Sequence, residues 1–408
     1  MSKYYVVHYA EIALKGRNKP FYIDTLRKNL EFALSDVEGV SVKKLEGRLL
    51  VEVKGDTNIE SRIQKVFGVA WFTEVVPVEL ELQRMSEVAT KLVLDSDCKE
   101  RKTFGVSARR AQKSFPYNSM QIASIIGEHI VKNTDYRVDL TNPCVRVYVD
   151  IVNGMALLYT QKKKGPGGLP VGVSGRVVHL FSGGIDSPVA AWLLMKRGCE
   201  PIYLHFYALP SAELVLQSKV GKIIKVLSSY SPSTVKLVLV PFADYELLTS
   251  KQRTHEPVMF RLFMRVVAEE VAKKFYALGI STGDNLGQVA SQTLPNIAAM
   301  DEGSSLPVLR PLLTYDKQEI IDLAKEIGTY EFSIEKYKDC CSIIATRPEI
   351  RVEVGEVNQE FERLGLKQLA AKVLERASVA TYDASRGAFE LAKFGEYTER
   401  KVEGLKAF

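Results

Sequence analysis

The chain has 408 residues, of which 46% are hydrophobic and 25% are charged, a composition typical of soluble globular proteins with two or three domains. No run approaches the ~18 apolar residues of a membrane span, and the first residues do not resemble a signal peptide. The five scattered cysteines favour free thiols in a reducing compartment over a disulfide framework. We therefore expect a cytoplasmic protein that makes no contact with a membrane.

The net charge of +6 is unevenly distributed along the chain. Residues 1–175 contain 26 Lys and Arg against 20 Asp and Glu, whereas the remainder contains 29 of each. A basic front half joined to a neutral rear half indicates a polyanionic partner that the front half binds.

The first predicted elements follow the order strand, helix, two strands, helix, strand. Residues 4–10 read as a strand, residues 40–53 as a hairpin and residues 67–77 as a strand, with helices between them. This order is that of a ferredoxin-like domain, which we assign to residues 1–77.

Residues 78–170 form a second, more basic unit. A strand at 103–108, a helix that begins near Asn118 and a hairpin around Asn153-Gly154 precede a basic linker rich in Gly and Pro. Five Lys and Arg fall between residues 101 and 127 without an acid, and they suit RNA phosphates, although a solubilising surface is the alternative. The candidate RNA contacts are Arg101, Lys102, Arg109, Arg110, Lys113, Lys162, Lys163 and Lys164.

Residues 171–408 alternate apolar strands with helices, which indicates a doubly wound parallel sheet. Ligands of such sheets bind at the carboxyl ends of the strands. The residues expected there are His205, Phe206, Arg261 or Arg265, Gly283-Asp284-Asn285, and Gln288 to Gln292. The tail after residue 348 reads as further helices.

The first turn of this third unit, residues 180–188 (LFSGGIDSP), carries the strongest motif. Gly183 and Gly184 let backbone N–H groups approach an anion, at a point where a helix begins and also favours negative charge. Ser187 is predicted to cap this helix. Because the lysine of a Walker loop is absent, the motif excludes a P-loop NTPase and favours another phosphate-binding turn.

SGGIDS resembles the pyrophosphate loop of the PP-loop ATPases, which adenylate a substrate and release pyrophosphate. With EIALKGRN, ISTGDNLGQVASQTL (280–294) and LRPLLTYDKQEII (309–321), it resembles the tRNA uracil 4-sulfurtransferase (4-thiouridine synthetase) family. The stretch FGVSARRAQKSFPYNS resembles a THUMP domain, an RNA-binding module. Over nearly the whole chain, the resemblance implies an α/β protein with a ferredoxin-like domain (1–77), a THUMP domain (78–170) and a PP-loop ATPase domain (171–408).

The resemblance implies an enzyme that uses ATP and Mg²⁺ to adenylate O4 of uridine 8 in tRNA and then replaces that oxygen with persulfide sulfur. By this resemblance, Asp186 is the expected partner of Mg²⁺, and Lys317 is expected to neutralise charge on the phosphates. Cys341 is expected to take part in the transfer of sulfur, and Cys340 is an additional candidate for that role. The implied ATP-binding residues are Leu180, Phe181, Ser182, Gly183, Gly184, Asp186, Ser187, His205, Phe206, Arg261, Gly283 and Gln292.

Many members of this family carry a rhodanese domain, and no such domain is present among these 408 residues. We therefore expect a cysteine desulfurase to load Cys341 or Cys340 directly, or through a separate rhodanese protein. A second role in thiamine thiazole synthesis and a homodimer that binds the acceptor end of tRNA both stay open. Two alternative functions are another tRNA-modifying adenylase and a non-catalytic tRNA-binding protein.

Overall fold

The computed structural model describes residues 2–9, 11–111, 114–249, 256–340, 352–384 and 386–399. The chain divides into two compact units between Leu169 and Pro170. None of the helices in these described ranges is long and apolar enough to cross a membrane.

The first unit begins with the predicted ferredoxin-like order of elements and continues with the α/β elements expected of a THUMP domain. Its strands are β1 (Ser2–His8), β2 (Val40–Leu45), β3 (Arg48–Lys54), β4 (Trp71–Val78), β5 (Thr103–Arg110), β6 (Arg137–Val138), β7 (Val145–Val152), β8 (Met155–Tyr159) and β9 (Lys163–Lys164). Its α-helices are α1 (Lys19–Ala33), α2 (Glu60–Ile63), α3 (Leu82–Leu94) and α4 (Ser119–Asn133). The cap of α4 at Asn118 and the hairpin between β7 and β8 are confirmed.

One sheet runs through the whole first unit, in the order β2-β3-β1-β4-β8-β7-β5-β6, with β9 paired to β4. β4 joins the two halves because its start pairs with β1 and its end, from Val76, pairs with β8. The predicted division at residue 77 lies within this strand and stays a prediction. Apolar residues on the sheet face opposite to that of Tyr5 and Val7 form a second core, which includes Val6 and Leu157.

A disulfide between Cys98 and Cys144 shows that the expectation of free thiols was wrong for these two residues. Cys98 precedes β5, and Cys144 precedes β7. Because β5 and β7 pair in parallel, with Phe104 opposite Val145, their starting ends lie together and bring the two Cα atoms within 5.8 Å. Scattered spacing in the sequence does not show this pairing of strand ends.

The second unit is built on a seven-stranded sheet in the order β14-β13-β10-β11-β12-β15-β16. Its strands are β10 (Arg176–Leu180), β11 (Glu200–Tyr207), β12 (Val235–Pro241), β13 (Gly279–Ser281), β14 (Val308–Leu309), β15 (Ser378–Asp383) and β16 (Ala388–Lys393). Its α-helices are α5 (Asp186–Lys196), α6 (Ala212–Gln217), α7 (Lys219–Ser228), α8 (Ala243–Thr249), α9 (Glu256–Phe275), α10 (Leu294–Asp301), α11 (Lys317–Ile327), α12 (Tyr330–Ser333), α13 (Val354–Arg363) and α14 (Leu366–Val373).

The first five strands of this sheet are parallel and confirm the doubly wound α/β class. The chain moves from β10 outward through β11 and β12, and then returns to the other side of β10 with β13. This reversal leaves a crevice at the carboxyl end of β10, where ligands of open α/β sheets bind. The prediction that the tail is only helical was wrong, since β15 and β16 form an antiparallel hairpin that extends the sheet beside β12.

An ion pair between Arg48 of β3 and Asp150 of β7 connects the two halves of the first unit's sheet. Both side chains are nearly buried, at 11% and 4% exposure, and the hydroxyl of Tyr159 also donates to Asp150. Removing one partner of a buried pair leaves the other charge uncompensated.

We predict that Asp150→Ala lowers the free energy of unfolding by about 3 kcal/mol, because Arg48 then stays buried without its counter-charge. Urea titration followed by circular dichroism measures this change. The matched control is Asp56→Ala, which removes an exposed carboxylate paired with Lys3 and should leave the urea midpoint unchanged. Equal midpoints for the two variants would contradict the prediction.

Candidate active site and RNA-binding surface

The turn between β10 and α5 forms a closed loop over residues 181–185. Its helix begins at Asp186, two residues earlier than a cap at Ser187 would place it, so the predicted capping role of Ser187 was wrong. The hydroxyl of Ser187 instead accepts a hydrogen bond from the backbone N–H of Ser182 at 3.2 Å and lies 3.3 Å from the Ser182 hydroxyl. The two serines therefore close the loop on itself.

Glycine is required in this turn and also at the end of β13, which lies against it. Gly183 has a φ of +74°, a left-handed conformation that side chains other than glycine rarely adopt. Gly283, which follows β13, lies so close to the start of α5 that a Cβ there would approach the backbone nitrogen of Ser187 to 3.0 Å. The end of β13 can therefore lie directly against the first turn of α5.

His179, fully buried on β10, fixes this helix start to the sheet. One ring nitrogen, Nε2, donates to the backbone carbonyl of Ser187 at 2.8 Å, and Nδ1 lies 3.3 Å from the hydroxyl of Ser281. Burial lowers the pKa of His179 to about 4, so the ring is neutral near pH 7. A neutral ring can donate at one nitrogen and accept at the other, as both contacts need.

The carboxylate of Asp186 connects three elements at the rim of the crevice. The ammonium of Lys317, the first residue of α11, lies 2.5 Å from one carboxylate oxygen, although the two residues are 131 positions apart in the sequence. The side-chain amide of Gln288 donates to the other oxygen at 3.0 Å. A cation at a helix start is unfavourable by itself, and this counter-charge accounts for its position.

Asp284, 4% exposed, is a second buried carboxylate and belongs to the stretch Gly283-Asp284-Asn285 that was expected beside the loop. It pairs with Arg261 and Arg310, and it accepts hydrogen bonds from Thr282 at 2.7 Å and Gln292 at 3.2 Å. Burial alone would raise the pKa of Asp284. Arg261, Thr282 and Arg310 stabilise the charged carboxylate, and they hold its pKa below the usual range. The sequence predicted its place, in a Gly-Asp-Asn turn after a short strand, but assigned it no role.

These groups surround a cavity of about 570 Å³, within the range of small-molecule sites. The structure brings most of the predicted nucleotide contacts to its wall: Leu180, Phe181, Ser182, Asp186, Ser187, His205, Phe206, Arg261, Gly283 and Gln292, together with Cys340. Gly183 and Gly184 belong to the adjoining loop, and Lys317 reaches the wall through Asp186. Arg310 and Asp301 also line the cavity and were missed.

At the wall of this cavity, Nε of Arg265 has no protein partner among the described residues, and the same is true of two acceptor atoms. They are the buried side-chain oxygens of Gln288 and Gln292, whose amide nitrogens are held by Asp186 and Asp284. A buried acceptor without a partner is costly, so a bound donor would stabilise it. An amino group on a heterocyclic base is one such donor.

Both ring nitrogens of His205 bind protein groups, so its side chain has no nitrogen left for a ligand. Its Nδ1 lies 2.7 Å from the carbonyl of Phe181, and its Nε2 lies 2.9 Å from the hydroxyl of Tyr337. Because both ring nitrogens are engaged, any contact of His205 with a nucleotide has to use its backbone.

The cysteines fall into different environments. Cys340 is buried at the cavity wall, and its thiol donates to the carbonyl of Phe206 at 3.3 Å. Cys199 is buried in a separate cluster, where burial raises the pKa of its thiol. Cys341 lies outside the described residues, so its predicted role stays a prediction.

The predicted RNA contacts near β5 separate into two groups at its opposite ends. A strand rises about 3.3 Å per residue, so these two ends are about 20 Å apart. Arg101 donates to the carbonyl of Asn142, and Lys102 pairs with Asp135 at one end. At the other end Arg110 donates to two backbone carbonyls. Lys113 lies outside the described residues.

Lys163 and Lys164 form β9 on the edge of β4, and Lys163 pairs there with Glu60. The sequence alone suggested that these cations act together as one basic strip. Two of them, Lys102 and Lys163, are instead paired with Asp135 and Glu60, which lie far from them in the sequence.

Lys162 belongs to a cluster of cations and aromatic rings, which we call the aromatic patch (His8, Trp71, Tyr148, Lys162 and Arg109). The Lys162 ammonium lies 4.0 Å from the ring centroid of Tyr148 and 4.9 Å from that of Trp71. Trp71 stacks on His8 with centroids 3.8 Å apart. Burial, together with the charges of Arg48, Lys162 and Arg109, lowers the pKa of His8 to about 3.

Three family models match consecutive parts of the chain. The ThiI ferredoxin-like domain matches residues 4–73, the THUMP domain residues 80–161, and the Thiamine biosynthesis protein (ThiI) model residues 172–366. They follow one another in the predicted order.

Whole-chain relatives agree with these models. A probable tRNA sulfurtransferase of Caldanaerobacter subterraneus subsp. tengcongensis is 40% identical over 88% of this chain and 96% of its own length. That of Moorella thermoacetica is 38% identical over 93% and 97%. A crystal structure of a 4-thiouridine synthetase–RNA complex with bound ATP has a TM-score of 0.83 and 33% identity, and covers 94% of this chain and 100% of that one. With this loop, cavity and domain order, the chain belongs to the tRNA sulfurtransferase family.

Proposed function

We propose that this enzyme adenylates O4 of uridine 8 in tRNA with ATP, releases pyrophosphate, and replaces that oxygen with sulfur to give 4-thiouridine. The observation that carries the proposal is the meeting of the SGGIDS loop, Asp186 and Lys317 at one cavity, next to Cys340. The family, and a solved relative whose complex holds ATP and RNA, support the same function.

In the first step, O4 of the uracil attacks the α-phosphorus of ATP, and the bond to the pyrophosphate breaks. Charge then develops on the phosphate oxygens, and fixed donors stabilise it. The N–H groups of Gly183, Gly184 and the first turn of α5 supply such donors, and Lys317 supplies a positive charge. The step converts a carbonyl oxygen, a poor leaving group, into part of AMP.

Mg²⁺ fits this site as a companion of the nucleotide. It usually binds through one or two carboxylates plus phosphate oxygens, and Asp186 offers a suitable carboxylate at the loop. Among the described residues, no cluster of three His, Cys, Asp or Glu could hold a metal by itself. When bound, Mg²⁺ would neutralise charge on the phosphates.

The adenine has a candidate position against Gln292. Asp284 holds the Gln292 amide nitrogen, so the amide oxygen is the free acceptor and suits an exocyclic amino group such as N6 of adenine. Arg261, held by the same carboxylate, is the nearby candidate for a phosphate or ribose contact.

In the second step, the terminal sulfur of a persulfide bonds to C4 while the bond between C4 and O4 breaks and AMP leaves. A second thiol then attacks the inner sulfur, which releases 4-thiouridine and leaves a disulfide. A dithiol reductant restores the thiols for the next cycle. Cys341 is the proposed sulfur carrier, a cysteine desulfurase its proposed sulfur source, and a separate rhodanese protein an alternative route.

The family model named for thiamine biosynthesis supports a second proposed role. A persulfide on Cys341 could also supply sulfur to thiazole synthesis, because the same terminal sulfur would be transferred to another acceptor. Thiamine dependence of cells that lack the protein tests this role.

Asp186→Asn and Lys317→Met should each lower the rate of pyrophosphate release at least about 100-fold, as expected when one charge-stabilising group is removed. The affinity for tRNA should stay within about twofold of the original value, because the RNA contacts lie elsewhere. Lys325→Met, at the other end of α11, is the matched control and should be fully active. Normal pyrophosphate release in both site variants would refute the adenylation step.

Arg109→Ala and Lys162→Ala should weaken tRNA binding and reduce the slope of log Kd against log salt by about 1 each. The reason is that each change removes one cation available to a phosphate. Lys102→Ala is the control, since Asp135 already compensates Lys102. Filter binding at several salt concentrations measures the slopes, and an unchanged slope for both patch variants would identify the patch as structural.

Cys341→Ser should abolish 4-thiouridine formation while pyrophosphate release continues, because only the sulfur carrier is lost. Mass analysis of tRNA nucleosides and a pyrophosphate assay separate the two steps. Cys340→Ser is the matched comparison. Full thiolation by Cys341→Ser together with loss in Cys340→Ser would move the sulfur carrier to Cys340.

A further inference from the structure

We propose that Tyr337 is a positioning residue for the sulfur-transfer step. Through His205, it fixes the segment that ends at Cys340 against the carboxyl end of β11, beside the nucleotide cavity. This inference rests on the proposed function and adds to it a group that acts in only one of the two steps.

The hydrogen bonds between Phe181, His205 and Tyr337 have one consistent direction. A backbone carbonyl only accepts, so Nδ1 of His205 carries the hydrogen that it donates to Phe181. Burial lowers the pKa of His205 and keeps the ring neutral, which leaves Nε2 as an acceptor. The hydroxyl of Tyr337 must therefore donate to it, at 2.9 Å. Burial, with the nearby Cys340 and Asp339, raises the pKa of Tyr337 and keeps this proton in place.

The same segment is held at other points as well. Cys340 donates its thiol proton to the carbonyl of Phe206, the residue that follows His205 on β11. Near the start of the segment, the ammonium of Lys219 donates to the carbonyl of Ser333 at 2.9 Å. Lys222 of α7 also pairs with Glu335 at 2.8 Å. Residues 333–340 are therefore attached to β11 and to α7, and the two attachments nearest the thiol are made by adjacent residues of β11.

These attachments lie next to the phosphate-binding loop. Phe181 belongs to the loop and accepts the His205 hydrogen bond. A Cβ built on Gly183 would lie 3.7 Å from Cε of Lys219, which places α7 against the loop. Phe181, His205 and Phe206 also line the cavity, so the groups that face the nucleotide are the groups that hold the cysteine segment.

This geometry matters for the second step and not for the first. Sulfur has to approach C4 to about 3–3.5 Å with correct alignment, and a misplacement of 1 Å can cost about 100-fold in rate. Tyr337 does not line the cavity, so its loss removes no group that touches the nucleotide. The exchange of one hydroxyl for hydrogen should loosen the segment and leave the cavity wall intact.

The test is Tyr337→Phe in the full-length enzyme, with tRNA, ATP, and cysteine plus a cysteine desulfurase as the sulfur source. We expect the KM for ATP and the rate of pyrophosphate release to stay within about twofold. Single-turnover formation of 4-thiouridine should fall about tenfold, the effect of losing one buried hydrogen bond. Tyr330→Phe on neighbouring α12, whose ring contacts Lys325, is the matched control and should leave both steps unchanged.

A second measurement follows the segment itself. The peptide that contains Cys340 should react faster with iodoacetamide in Tyr337→Phe than in the original enzyme or in Tyr330→Phe, because the thiol is less firmly held. Unchanged thiolation in Tyr337→Phe, or an equal fall in pyrophosphate release, would overturn the positioning role. Absence of pyrophosphate release from the original enzyme would instead refute the proposed function, so the two failures are distinguishable.

Discussion

The pair formed by Asp186 and Lys317 is the contact on which the arrangement of the candidate site depends. It joins the start of α5 to the start of α11, two elements that only the sheet order brings together. His179 fixes the same helix start to the sheet from below, and Gly283 permits the close approach of β13. Loop, carboxylate and cation thereby keep a fixed relation at the carboxyl edge of the parallel strands.

The cavity beside this pair is surrounded by charges that are already paired with one another. Asp284 holds Arg261 and Arg310, and it also fixes the amide of Gln292. Such pairing makes a buried charge tolerable and leaves a few defined groups, such as the Gln292 oxygen, without a partner in the part of the chain that the structure describes. A site built in this way can select a ligand with few contacts because its polar groups cannot rearrange.

The front unit places a buried ion pair and the aromatic patch on one face of a continuous sheet. Arg48 and Asp150 stabilise the join between its halves, and the aromatic patch lies around them. Cations over aromatic rings offer both a charge for phosphates and a surface for bases. This patch, more than the density of lysines in the sequence, supports the proposed binding of tRNA.

The sequence by itself determined the order of the three domains, the doubly wound class and the position of the glycine-rich SGGIDS turn between a strand and a helix, because these depend on local patterns of strand, helix and glycine. It also indicated most of the residues that line the cavity, through the rule that ligands bind where parallel strands end. Only the tertiary structure decided that Ser187 closes the loop, that Asp135 compensates Lys102, that Cys98 bonds Cys144, and that His205 holds Tyr337. Most of these contacts join residues far apart in the chain, so their partners follow from strand order and register, which one sequence does not reveal.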